Sequence, residues 1–228
     1  MKNMKIVSIL ILINLCTFMN ISAQDWAGLE HFRSENELLD KPGPTEDRVV
    51  FMGNSITIGW SKQQPEFFSN NPYINRGISG QTTPQMLLRF RQDVIDLEPA
   101  AVVILAGTND IAGNTGPSSL EMILDNIKSM AELAQANNIK VILCSVLPAF
   151  DYPWRKGLQP NIKIPQLNLM IKEYAQEHDI IYLDYFSAMT DGNNGMRDEL
   201  ASDGVHPTKM GYGIMAPLVK EAIKSALH

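Results

Sequence analysis

The chain has 228 residues, of which 45% are hydrophobic and 19% charged, so it is too apolar for a disordered polymer and long enough for one large domain with its own core. Its formal charge of −6, from 19 basic and 25 acidic residues, excludes a strongly basic nucleic-acid-binding protein. No sustained heptad, collagen repeat or low-complexity tract occurs in the sequence, which excludes the fibrous classes.

The first 23 residues are predicted to be a secretory signal peptide whose removal leaves a single domain over residues 24–228. Lys2 and Lys5 supply a basic start, a short and nearly all-apolar run follows, and Ser22-Ala23 offers small residues for cleavage. The apolar run is short for a membrane span. We therefore expect an exported protein, periplasmic or secreted, with no stable membrane span after cleavage. An N-terminal anchor that is not cleaved is the alternative.

Strands and helices alternate along the chain after a leading helix at about residues 26–39. Short β-branched runs are predicted as strands at 48–52, 73–76, 101–106, 141–146 and 180–184. Amphipathic stretches are predicted as helices at 84–97, 118–137, 165–178 and 208–226. Pro84 and Pro165 are expected in the first turns of their helices, where proline is tolerated. This alternation favours an α/β fold, a parallel sheet with helices on both faces that binds ligands beyond the carboxyl ends of its strands.

Polar clusters follow three of these strands, and a fourth cluster precedes the last helix. In chain order they are Gly53–Thr57 (GNSIT), Gly77–Thr83 (GISGQTT), Ala106–Asp110 (AGTND) and Asp203–Pro207 (DGVHP). Because the carboxyl ends of parallel strands meet at one edge of the sheet, a serine, a histidine and a carboxylate are expected to converge there. These residue types serve nucleophilic acyl transfer, in which a serine needs a base and the base needs an orienting group.

Ser55 is the candidate nucleophile and His206 the candidate base. Asp203 precedes the histidine by three residues, a spacing that permits a contact between the two side chains within one turn. Asp184, which ends a predicted strand, is the alternative acid, but it is more distant from His206 in sequence. Taken singly, the serine also fits the N-cap of a helix, and the other residues fit caps as well.

The negative oxygen of a tetrahedral intermediate needs preorganised hydrogen-bond donors. The candidates for this oxyanion hole are the N–H groups of Ser55 and Gly80 and the side-chain amide of Asn109. Glycine at position 80 permits a close approach of the backbone and dihedral angles closed to other residues. Asp110 is a candidate for orienting the Asn109 loop through hydrogen bonds. Each of these residues taken alone also fits an ordinary turn.

The four blocks resemble those of the SGNH hydrolases, also called GDSL esterases. That family is named for a serine, a glycine, an asparagine and a histidine, which match Ser55, Gly80, Asn109 and His206 in the same order, over about residues 48–220. The resemblance implies a flavodoxin-like, three-layer α/β/α sandwich with five parallel strands. It also implies ester hydrolysis through an acyl-serine intermediate, with no metal and no organic cofactor. The first two blocks are most similar to platelet-activating-factor acetylhydrolase-like enzymes and bacterial carbohydrate acetylesterases.

One position departs from the family pattern, since Asn54 stands where the family has an aspartate. Asparagine keeps the shape of the side chain but loses the charge and gains an N–H₂ donor. Because Asp203 already provides the acid, catalysis is expected to survive this change. The substitution does question any local role of that carboxylate in holding the serine loop.

The loop at 149–163 follows the fourth strand and brings three predicted substrate contacts, Tyr152, Trp154 and Arg155; Trp60, close after the serine, is a fourth. An aromatic ring stacks on a sugar face, and an arginine holds carboxylates or hydroxyls. No large apolar loop for a long acyl chain is evident. The favoured hypothesis is removal of short acyl groups, above all acetyl, from a small-molecule or glycan ester. A lipid or phospholipid acylhydrolase or thioesterase is the alternative, and a non-catalytic glycan-binding module is the third possibility.

Overall fold

The computed structural model describes residues 25–228, and the predicted signal peptide at residues 1–23 lies outside the described residues. Five parallel strands form one sheet in the order β2-β1-β3-β4-β5. They are β1 (Val49–Gly53), β2 (Tyr73–Gly77), β3 (Ala101–Leu105), β4 (Lys140–Cys144) and β5 (Ile181–Leu183). The predicted flavodoxin-like sheet is confirmed, with small shifts at the strand ends.

Helices connect these strands. Within residues 25–228 they are α1 (Arg33–Glu37), α2 (Ser55–Gln63), α3 (Pro65–Ser69), α4 (Thr83–Asp93), α5 (Thr108–Ile111), α6 (Leu120–Ala136), α7 (Pro160–Glu177), α8 (Tyr185–Met189) and α9 (Lys209–Leu227). Among these helices, none is long and apolar enough to cross a membrane. The predicted leading helix is shorter than expected, because turns precede α1 and Gly28 adopts a φ of +70°. Helices α2, α3, α5 and α8 were not predicted; three of them have only four or five residues, and β-branched residues and a glycine weaken the helical pattern of α2.

Apolar side chains cover both faces of the sheet and give the molecule three layers. On one face, α4, α6 and α7 pack against the strands, with Phe90 and Ile123 among the residues around Val102. On the other face, α2, α3, α8 and α9 pack, with Trp60 close to Phe51. The central strand β3 and its neighbour β1 are buried along their whole length. This burial explains why their sequences are apolar on both faces.

Pro165 lies inside α7 rather than in its first turn, because the helix begins earlier, at Pro160. A proline has no N–H, so the carbonyl oxygen four residues earlier, at Asn161, loses its helical donor. The side-chain amide of Asn194 donates to this oxygen at 3.0 Å. A contact from a distant loop thus compensates for the missing helical bond. The prediction for Pro84 is confirmed, since it lies at the start of α4.

The register of the strands brings the predicted polar blocks to one edge. Gly53, the last residue of β1, is aligned with the last residue of β2 on one side and of β3 on the other. Ser55, Gly80 and Asn109 follow these three aligned strand ends within a few residues. The edge of the sheet, and not their spacing in sequence, therefore determines that these residues are neighbours.

Candidate active site

Ser55, His206 and Asp203 form an unbroken hydrogen-bonded chain. The hydroxyl oxygen of Ser55 lies 2.9 Å from Nε2 of His206, and Nδ1 of the same ring lies 2.7 Å from Oδ2 of Asp203. A carboxylate only accepts hydrogen bonds, so it favours the proton on Nδ1 and leaves Nε2 as the acceptor for the serine hydroxyl. The serine is the first residue of α2, and the other two residues lie in the loop before α9.

The backbone around His206 also holds the Asp203 carboxylate. Its Oδ1 accepts the N–H of Val205 at 3.0 Å and the N–H of His206 at 2.7 Å. Partial burial acts to raise the pKa of Asp203, but the hydrogen bonds from these N–H groups and from the His206 ring outweigh it and lower that pKa below its ordinary value. The alternative acid Asp184 is engaged elsewhere, because it caps α8 through the N–H and hydroxyl of Ser187.

The site is open to solvent. The side chains of His206 and Asp203 are 39% and 37% exposed, and Ser55 is half-buried. Such an arrangement gives a bulky substrate access to the serine without a movement of the core.

Asn54 holds the start of α2, where the serine lies. Its side-chain oxygen accepts the N–H of Ile56 at 3.0 Å, and the residue is 1% exposed. This is an N-cap, which satisfies one of the free N–H groups of the first helical turn. An aspartate accepts the same bond, so the amide at this position keeps the contact that holds the serine loop.

The other candidate donors face the same edge. Gly80 has a φ of +78°, in the left-handed region that favours glycine. The buried side chain of Asn109 donates one amide hydrogen to the carbonyl oxygen of Gln81 at 2.9 Å, which leaves its second hydrogen for another acceptor. Within residues 25–228, the N–H groups of Ser55 and Gly80 donate to no protein acceptor. Three N–H donors are therefore available beyond the ends of adjacent strands.

Sequence reasoning missed Arg89, a fully buried arginine in α4. Its guanidinium donates to the carbonyl oxygens of Gly53 at 3.1 Å and Arg76 at 2.8 Å, and to the side chain of Gln81 at 2.6 Å. Asp93 forms an ion pair with it at 3.0 Å. Arg89 therefore joins the serine strand, its neighbour β2 and the turn that follows β2. It stands between Leu88 and Phe90 in the sequence, and nothing in the sequence distinguishes it from an exposed charge of an amphipathic helix.

Two predicted substrate contacts lie in the core instead. Trp60 is 2% exposed and stacks against Phe67 and Tyr212. Tyr152 is fully buried, and its hydroxyl is hydrogen-bonded to Thr108. These predictions of substrate contact are therefore wrong for this structure. Proximity in sequence to the site did not determine the direction in which either side chain points.

The same loop presents Trp154 beside the histidine. Trp154 is 47% exposed, its ring centroid lies 5.8 Å from that of His206, and it stacks on Tyr152 at 5.3 Å. Arg155, also predicted to contact substrate, instead donates through Nη1 to two carbonyl oxygens just after α5, at 2.8 and 2.7 Å. Tyr152 is hydrogen-bonded to the start of α5 and Arg155 to its end. The residues on either side of Trp154 are therefore fixed, and they hold its exposed indole in position.

Asp110 is buried next to Asn109 and binds the start of α4. Its carboxylate accepts the backbone N–H of Thr83 at 2.9 and 3.1 Å and the Thr83 hydroxyl at 2.6 Å. Burial raises the pKa of Asp110 to about 6, because the loss of hydration outweighs these hydrogen bonds. The contact joins the Asn109 loop to the residues that follow Gly80.

The sequence matches the model of the GDSL-like Lipase/Acylhydrolase family over residues 51–214. An acetylxylan esterase of Xylanibacter ruminicola is 26% identical over 226 residues; the match covers 83% of this chain and 46% of that protein, so this chain spans less than half of that relative. Esterase TesA of Pseudomonas aeruginosa is 26% identical over 163 residues, covering 68% of this chain and 73% of that protein. The crystal structure of a GDSL-like lipase from Bacteroides thetaiotaomicron has a TM-score of 0.86 and 51% identity, covering 88% of this chain and 99% of that one.

The cap at Asn54 gives a prediction about the serine loop. Asn54→Ala removes the acceptor for Ile56 N–H and should lower the free energy of unfolding by about 1 kcal/mol. Asn54→Asp keeps an acceptor oxygen in the same place and should match the native protein within about 0.5 kcal/mol. Urea unfolding of the three proteins measures the difference. An alanine variant as stable as the native protein would show that this contact does not hold the start of α2.

The buried carboxyl of Asp110 gives a prediction about pH. Its pKa of about 6 in the folded chain exceeds the ordinary value of 3.8, so ionisation of this group opposes folding. Its favourable contribution is complete below about pH 4 and is lost as the pH rises through about 6. Asp110→Asn cannot titrate, so the stability of the native protein relative to this variant should fall from about pH 4 to about pH 7. Denaturant unfolding at several pH values tests this, and a constant difference would contradict it.

Proposed function

The chain belongs to the GDSL-like lipase/acylhydrolase family, and we propose that it is a carboxylic ester hydrolase with Ser55 as nucleophile, His206 as general base and acid, and Asp203 as the orienting carboxylate. The observation that carries this proposal is the contact of 2.9 Å from the serine hydroxyl to the imidazole, continued at 2.7 Å to the carboxylate. The esterase names of two relatives support the same reaction class.

In the first half of the proposed reaction, Nε2 of His206 takes the hydroxyl proton while the Ser55 oxygen bonds to the acyl carbon. The carbonyl electron pair moves to its oxygen and forms a negatively charged tetrahedral intermediate. The ionised Asp203 stabilises the positive imidazole ring. The ring then gives its proton to the alcohol oxygen, the ester C–O bond breaks, and the alcohol leaves an acyl-serine behind. In the second half, Nε2 takes a proton from water while the water oxygen attacks the acyl carbon. The bond from that carbon to the Ser55 oxygen then breaks, the ring returns its proton to the Ser55 oxygen, and the acid leaves.

The intermediate's negative oxygen would lie among the three donors at the sheet edge. These are the N–H of Ser55, the N–H of Gly80 and the second amide hydrogen of Asn109. Fixed donors of this kind stabilise charge that develops only in the transition state, and loss of one typically costs on the order of a hundredfold in rate. The bond from Asn109 to Gln81 supports the assignment, since it orients the amide group before substrate arrives.

We propose a carbohydrate acetyl ester as the substrate. The exposed indole of Trp154 supports the carbohydrate, because a sugar ring packs its C–H groups on a flat aromatic face. The open site leaves room for an oligosaccharide, and one relative is named as an acetylxylan esterase. The residues that supply the three donors are a serine, a glycine and an asparagine. These residues offer little apolar surface on which a long acyl chain could pack. This composition favours the acetyl group.

We also propose export of the protein. The support is the basic and then apolar start of the sequence, with small residues at Ser22-Ala23. These residues precede the part of the chain that the structure describes. Acetylated polysaccharides that cannot enter a cell would be accessible to an exported esterase, so the two proposals agree.

Replacement of the nucleophile tests the reaction. Ser55→Ala should reduce turnover of 4-nitrophenyl acetate at least about a thousandfold, because no hydroxyl remains to form the acyl intermediate. Ser129→Ala is a matched control, since the hydroxyl of this half-buried serine donates to the helix carbonyl of Asp125, away from the site. Initial rates are measured together with the thermal unfolding midpoint, which should not fall in either variant.

The same assay with a panel of esters tests the substrate class. Native protein should prefer acetyl esters and acetylated oligosaccharides over long-chain esters, phospholipids and thioesters. Full activity of Ser55→Ala would contradict the mechanism. A preference for long-chain substrates would contradict the acetyl and carbohydrate assignment while leaving the serine chemistry in place.

Trp154 gives a separate test of carbohydrate binding. Trp154→Ala should lower kcat/KM on acetylated oligosaccharides about tenfold, as expected when one stacking face is lost. Turnover of 4-nitrophenyl acetate, which has no sugar, should change less than about twofold. Phe150→Ala is the matched control, because Phe150 is a 60% exposed aromatic residue in the same loop. Equal losses on both substrates would contradict a role of the indole in sugar binding.

A further inference from the structure

Hydrogen bonds join the turn that contains Gly80 to the loop that contains Asn109. Each of the four residues from 80 to 83 contacts a residue between 109 and 115. The pairs are Gly80–Asn114, Gln81–Asn109, Thr82–Thr115 and Thr83–Asp110. The two segments that carry candidate oxyanion donors are therefore positioned against each other directly, in addition to the strands that precede them.

Asn114 contacts both residues that carry these donors. Its side-chain amide donates to the carbonyl oxygen of Gly80 at 3.0 Å, and its backbone N–H donates to the carbonyl oxygen of Asn109 at 3.0 Å. In the described part of the chain, no other group donates to the Gly80 oxygen. Asn114 is exposed, so this contact lies at the rim of the site and outside the core.

Gly80 needs such a partner because packing does not hold it. It is exposed, has no side chain, and takes the third position of a turn closed by the N–H of Gln81 on the oxygen of Ile78 at 3.3 Å. Its φ of +78° is the value that a type II turn requires at this position. Glycine also adopts the negative φ of a type I turn, in which the preceding peptide group is turned over. The Gly80 N–H belongs to that peptide group and would then point away.

We propose that Asn114 is a positioning residue for ester hydrolysis, which holds the Gly80 N–H in a fixed orientation relative to the Asn109 amide. The inference rests on the proposed function, because it concerns the donors of that reaction. Asn114 does not touch the substrate. Its loss frees the Gly80–Gln81 peptide to move relative to the Asn109 loop, which displaces the Gly80 N–H from the oxyanion, so it weakens stabilisation of the transition state more than binding of the ester.

Three variants test this proposal. Asn114→Ala removes the side-chain donor, and Asn114→Asp keeps the shape but places an acceptor oxygen against the Gly80 carbonyl. Asn137→Ala is the matched control, since Asn137 is also exposed and donates to a backbone carbonyl, that of Leu133 at 2.7 Å, at the end of α6. The measurements are kcat and KM for 4-nitrophenyl acetate, the thermal unfolding midpoint, and inhibition by a short alkylboronic acid, which forms an anionic tetrahedral adduct with serine.

Asn114→Ala should lower kcat about tenfold with KM changed less than about twofold, and Asn114→Asp should lower kcat further. The boronic acid should bind more weakly by a similar factor in both variants, because its adduct needs the same donors. The unfolding midpoints should stay at the native value, and Asn137→Ala should keep native kcat.

The proposal is overturned if Asn114→Ala keeps kcat within about twofold of the native value, or if Asn114→Asp is fully active. It is also overturned if the loss appears in KM alone, leaves boronic acid binding unchanged, or accompanies a lower unfolding midpoint. Failure of the proposed function has a different signature, which is an active Ser55→Ala variant or a native protein without esterase activity. In that case the inference about Asn114 fails with it.

Discussion

A hydrogen bond of 2.9 Å between the Ser55 hydroxyl and the His206 imidazole is the contact on which the proposed chemistry depends. An isolated serine hydroxyl is a poor nucleophile at neutral pH, and only a base within bonding distance changes this. The fold fixes both ends of the contact. Asn54 caps the helix that begins with the serine, while Asp203 binds both the ring and the backbone of the histidine. The turn at Asn54 and the turn at Asp203 are far apart in sequence, and together they hold the serine and the histidine within hydrogen-bonding distance.

Buried polar groups maintain this edge of the sheet. Strand ends leave carbonyl oxygens without sheet partners, and a buried carbonyl without a donor is costly. Arg89 supplies donors to the ends of β1 and β2, with Asp93 as its counter-charge. Asp110 instead acts as an acceptor, for the N–H and the hydroxyl of Thr83, the first residue of α4. Burial of charge is unfavourable by itself, so these side chains are better explained by the geometry they impose than by any gain in stability.

Hydrogen bonds fix several groups of the site, whereas its rim is exposed, and this combination fits the carbohydrate ester that we propose. Hydrogen bonds orient the buried Asn109 amide and the more exposed pair of Asp203 and His206, which preorganises them for a charged transition state. Outside them, Trp154 is exposed but not free, because Tyr152 and Arg155 anchor its loop at the two ends of α5. An aromatic face held in this way binds a ring with little loss of conformational entropy. In the proposed function, the residues for substrate recognition and for transition-state stabilisation would both be positioned by α5, which carries Asn109.

The sequence by itself determined the alternation of strands and helices, because apolar periodicity reports burial, and it determined the four blocks that bear the chemistry. The contact between Asp203 and His206 could also be predicted from the sequence, since both residues lie in one turn. Only the tertiary structure decided that Trp60 points into the core, that Trp154 faces the histidine, and that Arg89 and Asn114 contact strand ends and turns far away in sequence. The physical reason is that side-chain direction and non-local hydrogen bonds depend on how separate segments pack against each other. The spacing of residues within one segment does not determine that packing.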